Sequence, residues 1–120
     1  METLEINVKD KPCKVVMEEL TFGKRNEALR KATVLDIVGQ KLNVDSVTFG
    51  EWRIVFSIKE MELVGWKHAI NDEAKLKFIR GLPLQAGDAL SRAEQKLNLG
   101  VSHEEGKKNS NSSKGQKDTA

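Results

Sequence analysis

Alternation opens the chain. Leu4, Ile6 and Val8 are separated by single polar residues, and after Asp10-Lys11-Pro12 the same rhythm resumes at Cys13, Val15 and Met17. A period of two on both sides of a short turn predicts a β-hairpin with one buried face. Pro12 suits the turn or the first position of the second strand, where its missing N–H does least harm. A helix start follows at Leu20-Thr21-Phe22-Gly23, with Thr21 as N-cap and Phe22, Leu29 and Ala32 near one face. Asn26, Glu27, Arg30 and Lys31 are left for solvent. The run from Thr33 to Val38 turns β-branched, and the pattern allows the helix either to end there or to continue to Gly39.

Residues 49–64 carry two periods at once. Trp52, Ile54, Phe56 and Ile58 alternate as in a strand, whereas Trp52, Val55, Phe56, Lys59 and Leu63 follow helical spacing. The local pattern leans to strand. Two clearer helices follow. Asn71 caps the first, which runs through Arg80 with Asp72 and Glu73 at its positive end and Lys75, Lys77 and Arg80 towards its negative end. Gly81 and Pro83 stop it. The second extends from about Leu84 to Leu97, with an apolar stripe of Ala86, Ala89, Leu90, Ala93 and Leu97 opposite Asp88, Arg92, Gln95 and Lys96. Residues 102–120 contain no large apolar side chain and cannot offset the entropy of ordering, so they predict a disordered polar tail. The fold expected is α+β: a single domain over residues 1–100, an N-terminal β-hairpin followed by a small set of helices, then the tail 101–120.

Composition narrows the functional classes. With 120 residues, 38% hydrophobic and only 5% aromatic, the chain can build one modest core but not a deep cavity around a large cofactor, so none is expected. The single cysteine, Cys13, excludes an internal disulfide and a cysteine-based zinc site. Neither a secretion signal nor a membrane-spanning run is visible, which together with the free cysteine leads us to expect a cytoplasmic protein. The net charge is +2. Lysines 107, 108, 114 and 117 against Glu104, Glu105 and Asp118 place +1 in the tail, leaving +1 for the body. A nucleic-acid binder concentrates positive charge to neutralise several phosphates at once; this body does not.

No catalytic constellation stands out. His68 has no histidine or cysteine at metal-ligand spacing, and its neighbours Trp66 and Ile70 suggest a partly packed residue; His103 falls in the tail. Cys13 on an apolar strand face reads as a small core residue. The pairs Glu18-Glu19, Glu60/Glu62 and Glu104-Glu105 sit among lysines on polar faces or in the tail, and the glycines form no phosphate-cradling loop. Trp52, Phe56, Trp66 and Phe78 read mainly as core. Trp66, between Gly65 and Lys67 in an expected loop, is the ring best suited to an interface.

Taken in order, the segments resemble the small tail assembly chaperones of long-tailed phages. Leu20-Thr21-Phe22-Gly23-Lys24-Arg25-Asn26-Glu27 resembles the family's LTFG-x-R-NE helix start, although Lys24 stands where an acid would complete a capping box with Thr21. Phe49-Gly50-Glu51-Trp52-Arg53 is similar to the segment opening a middle helix, and Leu82-Pro83-Leu84-Gln85-Ala86-Gly87-Asp88-Ala89-Leu90 with Leu97-Asn98 is similar to a closing helix. The resemblance implies a non-enzymatic tail assembly factor in the host cell cytoplasm, binding a tape-measure-like or other tail structural protein, with self-association in its range. It also implies a helix over residues 50–63, against the local pattern. Partner contacts are expected at Trp66, Trp52, Leu82 and Leu84. The competing class is a small nucleic-acid- or ribosome-associated module using the lysine-rich tail.

Overall fold

The computed structural model describes residues 1–99; the predicted tail, 101–120, lies outside them. The architecture is α+β. Strands β1 (Glu2–Val8) and β2 (Lys11–Met17) form the expected hairpin, in the register Ile6 opposite Cys13 and Leu4 opposite Val15. The turn is Lys9-Asp10, both at positive φ, and is thus one position earlier than the sequence suggests. Two residues of left-handed backbone match the right-handed twist of the strands. In such a hairpin the closing pair, Val8 and Lys11, exchanges hydrogen bonds, so the nitrogen of Pro12 points away from β1 and costs no ladder bond.

Helix α1 (Phe22–Ala32) begins where the Thr21 hydroxyl accepts the Lys24 N–H at 3.2 Å. It ends at Ala32 rather than continuing to Gly39. The Thr33 hydroxyl donates to the Leu29 carbonyl at 2.7 Å, and the β-branched run becomes β3 (Thr33–Asp36), which pairs with β4 (Lys41–Val44) in a separate two-stranded ribbon.

The strand expected over residues 50–63 is mostly helix. Asp45 accepts the N–H groups of Val47 and Thr48 and starts α2 (Ser46–Ser57). Only at Ile58, with no intervening loop, does the chain become β5 (Ile58–Met61), which adds to β2 to give the sheet order β1-β2-β5. The register shifts where the two strands meet: Val16 faces Glu60 but Met17 faces Ile58, leaving Lys59 as an extra residue. The alternation misleads because α2 packs against α1, α4 and α5 together. A helix enclosed on several sides has no single apolar stripe to read.

Leu63 leads into a one-turn helix, α3 (Val64–Lys67), then α4 (Asp72–Arg80) and α5 (Leu84–Leu99) follow as expected. Asn71 caps α4 through the Ala74 N–H at 2.8 Å. One face of the sheet carries Ile6, Cys13, Val15, Met17, Ile58 and Met61 into a hydrophobic cluster shared with α2, α4 and α5. Helix α5 lies against β1 through its predicted stripe, with Ala86, Leu90 and Ala93 buried. The core is thus a sheet covered on one side by helices, and the β3–β4 ribbon leaves it between Ala32 and Asp45.

Candidate protein-binding surface

The four residues expected to contact a partner separate into two pairs. Trp66 and Trp52 are 6% and 5% exposed and belong to the core. Trp66 is not in a loop. It lies in α3, edge-on to Phe78 with ring centroids 6.3 Å apart, under the Lys75 ammonium at 5.1 Å. Trp52 stacks at 5.5 Å from Phe56 and is covered by Lys31 at 4.6 Å. Burial of both rings removes them as free partner contacts. The dominant signal at Trp66, an aromatic next to glycine, reflects close packing: Gly65 is the position that admits the Phe78 ring.

Leu82 and Leu84 do come together. The Gly81-to-Pro83 break turns the chain sharply between α4 and α5, leaving Leu82 half-buried and Leu84, the first residue of α5, 79% exposed. Across from them α2 presents Val47, 70% exposed, with Ile54 behind it, and α4 contributes Ile79. These side chains line a groove of about 430 Å³. Its apolar floor is flanked by charge. Arg80 donates twice to one Glu51 oxygen, at 2.7 and 3.0 Å, and this contact pushes the guanidinium pKa further up; Asp88 stands on the α5 side. Val47 was not visible as a site residue because the strand reading of the neighbouring segment obscured the start of α2.

Beneath the groove a polar cluster fixes α5 to α2. Glu94 is 1% exposed inside the apolar arc of α5 and receives two hydrogen bonds from Arg53, at 2.9 and 3.3 Å. Asn98 adds a third at 3.0 Å, donates also to the Ser57 hydroxyl, and accepts the Leu20 N–H at 2.8 Å. A buried carboxylate is tolerable only when its lone pairs are occupied in this way. The cluster is satisfied internally and aligns the groove walls. Sequence reasoning passed over Glu94; its spacing, four residues after Leu90 and three before Leu97, was the available signal.

The remaining candidates for chemistry are ordinary. Burial pushes the Cys13 thiol pKa up, so the thiolate is a minor species at neutral pH. His68 is exposed rather than partly packed. Among the described residues no group of three or more His, Cys, Asp and Glu side chains could hold a metal ion, and no helix is long and apolar enough to cross a membrane. Lys14, Lys59, Lys67 and Lys75 surround a second cleft, but Glu60 and Glu62 are interleaved with them and dilute its positive field.

No family model, curated protein or solved structure matches the chain.

Proposed function

We propose that this chain is a non-enzymatic tail assembly factor that holds an apolar helical stretch of a tail structural protein in the α2–α4–α5 groove, in the cytoplasm of a host cell. The observation that carries this reading is the placement of Val47 and Leu84, both mostly exposed, on opposite walls of a groove that also contains Leu82. An amphipathic helix buries its apolar face in such a groove through anchors spaced three and four residues apart, while its polar flanks meet the charged rim. The rim offers both signs, with Glu51, Arg80 and Asp88. The resemblance of the Leu20-to-Glu27 and Leu82-to-Leu90 segments to tail assembly chaperones supports the choice of client, because tape-measure-like proteins are long and aggregation-prone.

The test is co-purification of the full chain with a tape-measure-like protein encoded beside it. The double substitution Val47→Lys/Leu84→Lys places two charges in the groove at exposed positions. It is expected to leave the melting temperature unchanged and to weaken client binding tenfold or more, roughly 1.4 kcal/mol. Undiminished binding by the variant would remove the groove from the account. Tight, salt-sensitive binding of DNA or RNA by the native chain, in place of client binding, would favour the nucleic-acid reading.

A further inference from the structure

The β3–β4 ribbon has an apolar face that the other described residues leave largely uncovered. Thr33 and Val44 are opposite each other, as are Leu35 and Leu42, so these four side chains share one face; Val34 with Asn43 and Asp36 with Lys41 share the other. Leu35 is 63% exposed and Leu42 72%, Val44 is about half exposed, and the tip carries Ile37 and the fully exposed Val38. The two strands pack chiefly on each other, and among the described residues nothing pairs with either outer edge of this two-stranded sheet. Isolated two-stranded ribbons are marginal in water. This one is nevertheless well defined at its ends. The Asp45 N–H donates to the Ala32 carbonyl at its base, and at its tip the Asp36 carboxylate accepts the Val38 and Gly39 N–H groups at 3.1 Å each.

We infer that this ribbon is a self-association surface, covered by the ribbon of a second copy of the chain. Three observations select that occupant. No ribbon residue lines the groove or the lysine-rich cleft, so the face offers no concavity for an inserted segment and suits the like face of a second ribbon. Leu35, Leu42 and Val44 on the face, together with Ile37 and Val38 at the tip, expose on the order of 600 Å² per copy, most of the roughly 800 Å² that each partner contributes to a standard interface. The only charges from Thr33 to Val44 are Asp36 and Lys41, paired across the strands on the opposite face, so two copies meet without like-charge repulsion. A two-fold axis brings the same patch together from both sides, as a closed dimer requires. The edges carry no proline and, apart from Asp36 and Lys41, no charge to discourage this. The inference does not rest on the groove or on any client.

Sedimentation velocity on the full chain, over a dilution series in the micromolar range, tests it. The native chain is expected to show a monomer–dimer equilibrium, and Leu35→Lys/Leu42→Lys to sediment as a monomer throughout, with native circular dichroism. Val38→Lys, at a position 98% exposed, repeats the test where folding is not at stake and is expected to weaken the dimer at least tenfold. The groove variant Val47→Lys/Leu84→Lys is expected to dimerise normally, which separates this inference from the proposed function. A native chain that stays monomeric at all concentrations overturns the inference, and so does a dimer that survives all the ribbon substitutions.

Discussion

A Cβ on Gly65 would fall inside the van der Waals envelope of the Phe78 ring, so the close approach of α3 to α4 depends on that glycine. Trp66 gains its environment from this approach, being enclosed by the Phe78 edge and the Lys75 stem. Truncating a buried tryptophan removes its transfer energy and leaves a cavity. Trp66→Ala is therefore expected to destabilise the fold by about 3–5 kcal/mol, seen as a lower urea midpoint in equilibrium unfolding. A variant that melts with the native chain would return Trp66 to the surface and reopen it as a partner contact. At this scale the sequence shows which residues are large and apolar, but not which of them meet a neighbour that is distant in the chain. Leu84 and Trp66 read alike in sequence, and only the packing of α3 on α4 separates them.

Among elements, those with a simple environment were legible. The hairpin has one dry face and alternates cleanly; α4 and α5 each pack one stripe, and α4 carries a recognisable cap at Asn71 and a stop at Gly81. Helix α2 was not legible, because contacts with α1, α4 and α5 erase its periodicity and an exposed cap, Asp45, carries the start signal. The ribbon escaped for the opposite reason: its apolar residues pack on little beyond itself, so no core pattern marks it. The Asp45 cap has a measurable consequence. Its hydrogen bonds, foremost from the Thr48 backbone N–H, hold its pKa below the ordinary carboxylate value. A depressed folded pKa stabilises the fold above the unfolded value of about 3.9, and that contribution is lost as pH falls through the lowered folded value. Asp45→Asn keeps a capping oxygen but cannot titrate. The denaturation midpoint of this variant is expected to fall less steeply than that of the native chain below about pH 4. Parallel curves would show that α2 draws nothing from the charge of its cap.

The molecule divides into a helix-covered sheet with a single hydrophobic cluster and a ribbon that supplies almost nothing to it. The two ends of the ribbon already meet, through the Asp45 N–H and the Ala32 carbonyl at 2.9 Å. Replacing residues 33–44 by a short glycine-containing turn is expected to leave a body that unfolds cooperatively, with a melting temperature within a few degrees of the native chain. Loss of cooperative unfolding would mean that the ribbon belongs to the core after all. The opposite condition holds at Ser57–Ile58, where α2 becomes β5 without a loop and Ile58 is at once the helix C-cap and the first strand residue. The chain has no slack at that junction. One added or deleted residue there would rotate α2 by about 100° or turn β5 over, since a helix repeats every 3.6 residues and a strand every two. An inserted or deleted residue is thus far better accommodated at the ribbon tip than at the helix–strand junction, where only substitution preserves both faces.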